Sequence, residues 1–120
     1  MPSLIFRSKR HDTGVSPELD LEEPPAGTDW DLTQPGLVAV FIARIPDAPA
    51  PKMIGQAEVR GPWRIRYNPT AADVNTIGAY ECEVEVTPSG GKPRTFPTER
   101  AKNPVWIIDP DLNNGVGVTP

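Results

Sequence analysis

From Gly78 to Val86 the side chains alternate strictly in character. Tyr80, Cys82, Val84 and Val86 share one parity, and Glu81, Glu83 and Glu85 share the other. An extended backbone sends successive side chains to opposite faces, so this run predicts a strand with one buried and one wet face. Trp63-Arg64-Ile65-Arg66-Tyr67 repeats the pattern, with Trp63, Ile65 and Tyr67 expected inside and Arg64 and Arg66 outside. Leu37 to Arg44 is apolar on both parities and includes Phe41. That is the mark of a central strand covered on two faces or partly capped by a partner. Val105-Trp106-Ile107-Ile108 predicts a compact apolar strand that places Trp106 in the core.

Weaker extended segments complete the set. Leu4 to Arg7 is one, and Val15 to Leu21 is another in which Pro17 suggests an edge position. Met53 to Val59 offers Ile54, Ala57 and Val59, and Asp29 to Thr33 is expected to pack Trp30 or Leu32 against the rim of the core. Pro88-Ser89-Gly90-Gly91-Lys92-Pro93 returns the chain into Arg94-Thr95-Phe96 as a hairpin. Thr70 and Asp73 have the spacing of a capped helical turn too short to become a helix. The 16 prolines and 10 glycines fall between these segments rather than within them, which is the punctuation of an all-β chain.

The expected fold is an all-β, immunoglobulin-like antiparallel β-sandwich of roughly seven to nine short strands. A Trp-x-Ile-x-Tyr strand ahead of Gly-x-Tyr-x-Cys matches strands E and F of such sandwiches, where the tyrosine hydroxyl returns to a backbone group at the corner. The organisation expected is an N-terminal strand or arm over residues 1–10, the sandwich over 11–109 and a flexible C-terminal arm over 110–120.

A chain of 120 residues is long enough to bury one core without metal or disulfide. Its net charge of −4 repels nucleic acid and anionic lipid, so neither nucleic acid nor membrane is an expected partner. Cys82 is the sole cysteine and sits on the buried parity, as a small hydrophobe would. The N-terminal apolar run ends at Arg7, short of a signal or membrane segment, and a cytosol-like compartment is expected.

Little in the sequence suggests a reaction centre. His11 is the sole histidine and has no cysteine near it, and Asp109-Pro110-Asp111 lacks the spacing of a calcium loop, so no metal or cofactor is expected. Glu81, Glu83 and Glu85 lie along one exposed face, where nothing drives their acidities apart as an acid/base pair requires. No nucleophile elbow or phosphate loop is present, and an enzyme is not expected. The residues read as candidate partner contacts are Arg7, Lys9, Arg10, Glu81, Glu83, Glu85, Asp109 and Asp111. Charged groups at both ends and a carboxylate stripe suit a protein locked into a larger assembly.

His11-Asp12-Thr13-Gly14, Asp31-Leu32-Thr33 before the Leu37 strand, Trp63 through Asp73, Gly78 through Val86 and Arg94-Thr95-Phe96-Pro97 follow one another in order. That order resembles the immunoglobulin-like domain of phage baseplate upper proteins, over about residues 3 to 109. The resemblance implies a structural protein of a tailed-phage virion, with actinobacterial phages the foremost hosts of the domain, and carries over no catalytic residue. It implies as partners other virion proteins (neck, tail or capsid subunits) and copies of the chain itself, assembled in the host cytoplasm. A head-tail neck or tail ring is the favoured place and capsid decoration the runner-up. A carbohydrate-binding module is the alternative from another class; of Trp30, Trp63 and Trp106, parity places the last two in the core and leaves Trp30 to stack on a sugar.

Overall fold

The computed structural model describes residues 4–21, 31–46, 48–97 and 102–110. Among the described residues nine strands form two sheets: β1 (Ile5–Lys9), β2 (Glu18–Asp20), β3 (Val38–Arg44), β4 (Met53–Gln56), β5 (Glu58–Gly61), β6 (Arg64–Arg66), β7 (Gly78–Thr87), β8 (Arg94–Phe96) and β9 (Val105–Asp109). The larger sheet runs β1-β9-β7-β3-β4, with β8 also on β7, and the smaller runs β2-β6-β5. This is the strand order of an immunoglobulin-like sandwich, in which β3, β7 and β9 correspond to C, F and G, and β2, β6 and β5 to B, E and D.

β7 is the spine of the larger sheet. One of its edges pairs along seven residues with β3, from Val38↔Thr87 to Arg44↔Glu81. Its other edge is shared: Gly78 to Glu81 pair with β9, and Val84 to Val86 with β8. The predicted alternation holds along its length, with Tyr80, Cys82, Val84 and Val86 fully buried. β3 buries Ala39, Phe41 and Ala43. Its other parity, Val38, Val40 and Ile42, is only partly covered, which resolves its two-sided apolar pattern.

The two sheets close on one core. β2 and its flanks supply Pro17, Leu19 and Leu21, and β6 supplies Ile65 with Tyr67 just beyond it. Opposite them stand Phe41, Tyr80, Cys82, Val84, Phe96 and Trp106. Tyr67 stacks on Phe41 at 4.4 Å between ring centroids, and Trp106 meets Phe41 edge-on at 6.2 Å. The tyrosine corner is present: the Tyr80 hydroxyl donates to the Thr76 carbonyl at 2.7 Å. A Cβ on Gly78 would come within 3.2 Å of the Tyr80 ring, so a side chain there would press on the corner.

Two expectations need correction. The sandwich is not wholly antiparallel, because β1 runs parallel to β9 from Ile5↔Val105 to Lys9↔Asp109. The N-terminal segment is thereby a strand of the larger sheet, anchored where the buried Trp106 indole N–H donates to Ser8 Oγ at 2.9 Å. Trp63, expected inside with Ile65 and Tyr67, is only half-buried. β6 begins at Arg64, so Trp63 sits in the preceding turn, packed against the core but not enclosed by it.

Met53 to Val59, read as one segment, is two strands in different sheets, and the chain crosses between them at buried Ala57. The Thr70 turn forms no helix but makes the reciprocal capping bonds: Thr70 N–H to Asp73 Oδ2 at 2.9 Å and Asp73 N–H to Thr70 Oγ1 at 3.3 Å. Leu32 is buried, as one of the two alternatives for its loop required, whereas Trp30 lies outside the described residues.

Candidate functional site

The outer faces of the two sheets differ in kind. On the smaller sheet, charges of opposite sign stand directly across the strands. Asp20 faces Arg64, with Nε to Oδ1 at 2.7 Å, and Glu18 faces Arg66, with Nη2 to Oε2 at 2.8 Å. Arg60 reaches Glu58 at 3.2 Å, and Asn68 donates to the other oxygen of Glu58 at 3.2 Å. Hydrogen bonds from Arg66 to Glu18, from Arg64 to Asp20 and from Asn68 to Glu58 are the main reason these carboxyls lie below their ordinary acidity values. This face is neutralised within the chain.

The larger sheet turns a mixed face outward. Glu81, Glu83 and Glu85 form a column on β7, each half-buried, and Arg44, Ile42 and Val40 on β3 stand across from them. Ile54 lies across from Ile42 on the next strand. Ile54 is 63% exposed, Ile5 54% and Val38 46%. The Arg44 guanidinium reaches Glu83 only at 3.8 Å. Branched aliphatic side chains beside a row of carboxylates give this face the mixed apolar and charged composition of a protein-protein contact surface.

The candidate contacts separate into two groups. Glu81, Glu83 and Glu85 share the outer face of the larger sheet. Arg7, Lys9 and Asp109 lie on its other flank, where Arg7 Nη1 reaches Asp109 Oδ2 at 3.0 Å and Lys9 is in register with Asp109. Of the basic cluster, Arg7 thus finds an acidic partner inside its own sheet. Arg10 is half-buried just past β1, its N–H on the Asp109 carbonyl at 2.7 Å. Asp111 lies outside the described residues. The paired charges of the smaller sheet were missed by sequence reasoning. Their signal was present, since Glu18 and Asp20 flank an inward leucine as Arg64 and Arg66 flank an inward isoleucine.

Three hollows are bordered by described residues. A hollow of about 60 Å³ lies between Leu4, Leu19, Leu21, Pro97 and Pro104. An open one of about 340 Å³ is bordered by Trp63, Arg60, Arg64 and Asp20. Another, of about 430 Å³, sits at the loop end between Gln34, Ser89, Lys92 and Arg94. No group of three or more His, Cys, Asp or Glu side chains converges among the described residues. No helix among them is long and apolar enough to cross a membrane. The Cys82 thiol is pushed up to about 12, chiefly by burial, and its Sγ lies 3.5 Å from the Tyr80 carbonyl. It is placed as a packing group rather than a nucleophile.

Comparison with protein-family models, with curated proteins and with solved structures finds no match.

Proposed function

We propose that this chain is a non-enzymatic structural component of a tailed-phage virion, a head-tail neck or tail protein that acts by protein-protein assembly in a symmetric ring. The observation that carries the reading is the contrast between the two outer faces. One sheet satisfies its charges internally through Asp20–Arg64 and Glu18–Arg66, while the other presents Val38, Val40, Ile42 and Ile54 beside Glu81, Glu83 and Glu85. A surface of that composition suits a protein neighbour. The motif order from Trp63 to Pro97, with its likeness to the domain of phage baseplate upper proteins, supplies the virion context.

The test is the structure of the particle whose genome encodes the chain. Density for the sandwich in a ring at the neck or along the tail, with the β3–β4–β7 face against a neighbouring subunit, supports the proposal. Density on the capsid surface replaces it with a decoration role, and absence from the purified particle overturns it.

One observation favours a second reading, a carbohydrate-binding module. The half-buried Trp63 borders an open hollow with Arg60, Arg64 and Asp20, where a sugar ring has both a stacking surface and hydrogen-bonding groups. Calorimetric titration with a glycan panel tests it: saturable binding lost in Trp63→Ala supports this reading, and no heat across the panel removes it.

A further inference from the structure

We infer that the β4 edge of the larger sheet is a self-association site, where a second copy of this chain adds its own β4 antiparallel across a twofold axis. The inference stands apart from the virion reading, because it rests on the edge alone.

An open strand edge invites pairing with another chain, and folded proteins blunt such edges with charge, proline or a bulge. The other edges described here carry those devices. β1 bears Arg7 and Lys9, and β2 follows Pro17 and bears Glu18 and Asp20. β5 bears Glu58 and Arg60 and breaks register between Val59 and Gly61. β8 lies between Pro93 and Pro97 and bears Arg94. β4 reads Met53-Ile54-Gly55-Gln56, with no charge, no proline and no register shift along its pairing with β3. The nearest cation, Lys52, has its ammonium held on Asn75 Oδ1 at 2.8 Å.

The backbone phase shows which groups the edge offers. Ala57 N–H donates to the Ala39 carbonyl at 2.8 Å, and Gly55 and Met53 follow in register with Phe41 and Ala43. Residues in an antiparallel ladder alternate between facing the partner strand and facing away. The N–H and C=O of Ile54 and Gln56 therefore point out of the sheet, and they make no hydrogen bond among the described residues.

A twofold axis at Gly55 sets Ile54 of each copy opposite Gln56 of the other, and four N–H···O=C bonds satisfy all four groups of each chain, eight in total. No like charges meet, whereas self-pairing of β1 or β2 would bring together two strands each bearing charges of one sign. Side-chain parity is kept, so the Val40–Ile42–Ile54 strip of one copy continues into that of the other and Ile54 gains cover. Gly55 faces inward, where a Cβ would come within 3.0 Å of the Tyr67 ring, so this strand keeps its flat, unbranched centre for the core's sake.

The full chain is measured by light scattering coupled to gel filtration over a concentration series, with amide hydrogen exchange at both ends of the series. The expected species has the mass of two chains, and the Ile54 and Gln56 amides become protected as it forms. Ile54→Lys places like charges beside the axis, and Gln56→Pro removes an N–H that the monomer's own sheet does not use. Each variant is expected to weaken association by about tenfold or more while keeping the wild-type circular dichroism. Ile54→Lys combined with Gln56→Glu sets opposite charges across the pair and is expected to restore the dimer. A wild-type chain that stays monomeric throughout, a dimer indifferent to all three variants, or a larger closed ring indifferent to them overturns the inference.

Discussion

The Tyr67 hydroxyl donates to Asp73 Oδ2 at 2.6 Å, and the same oxygen accepts the Thr70 N–H at 2.9 Å. One carboxylate thus ties the end of β6 to the turn that leads into β7. The Tyr67 ring is stacked on Phe41, so the bond also anchors a side chain that links the two sheets. Asp73→Ala leaves the buried phenol without its acceptor and the turn without its cap, and should cost about 1–3 kcal/mol in urea unfolding. In a Tyr67→Phe background the same substitution should cost less, because the phenol is already gone. Equal costs in the two backgrounds would show that the pair is not coupled.

The same pair predicts behaviour in alkali. Burial first, then the hydrogen bond to Asp73 and its charge, raise the Tyr67 phenol far above its ordinary value of 10.0. A group whose folded value is raised stabilises the fold fully below its unfolded value, and that contribution is lost as pH climbs toward the folded value. Stability should therefore fall as pH rises beyond 10.0. Ultraviolet titration should find Tyr67 ionising only with unfolding, and Asp73→Ala should bring its ionisation to lower pH.

What the sequence reveals here depends on whether a contact leaves a local trace. β7 was legible because its alternation is set by its own residues, and the hairpin to β8 because glycines mark it. The parallel pairing of β1 with β9 left no such trace, since it joins Ile5 to Val105 across nearly the whole chain and no turn announces it. Trp63 packs against the core but is less enclosed than its parity mates Ile65 and Tyr67, because it lies in the turn before the strand. The carboxylate column was visible in the sequence, but its companions Ile42 and Ile54 join it only through strand register.

Acid should weaken the ion pairs of the smaller sheet. Glu18 and Asp20 are held below their ordinary values of 4.5 and 3.8, mainly by hydrogen bonds from Arg66 and Arg64. Depressed carboxylates stabilise the fold above their unfolded values and lose that effect as pH falls through the folded ones. The melting temperature should decline as pH drops below 4.5, and Glu18→Gln with Asp20→Asn should flatten the decline. The pairs are exposed, so the slope should also shrink in high salt. A slope unchanged in the double variant would assign the acid sensitivity to other groups.

β1 is held to the sheet by more than its ladder. The Trp106 indole N–H donates to Ser8 Oγ at 2.9 Å, and both groups are buried. Ser8→Ala leaves that N–H buried and unpaired, which should cost about 1–3 kcal/mol. The loss should be visible locally, as faster exchange of the β1 amides relative to those of β3 and β7. Uniform acceleration across all three strands would mean that β1 opens only with the whole fold.

Cys82 sits on the spine strand with its side chain fully buried, opposite a sheet whose β2 flank offers Pro17, Leu19 and Leu21 rather than a second cysteine. The core closes by packing alone at the place where immunoglobulin domains of antibodies carry a disulfide. Burial pushes the thiol up to about 12, so at neutral pH the nucleophilic thiolate is scarce and inaccessible together. Native protein should resist a disulfide reagent that labels the same residue at once in denaturant, and labelling near neutral pH should track opening of the β7 region. Cys82→Ala should cost about 1–2 kcal/mol through lost burial and the cavity left behind, whereas Cys82→Val tests whether extra volume is tolerated beside Trp106. Rapid labelling of the native chain would show that β7 opens on its own, and would remove the packed spine on which the outer face depends.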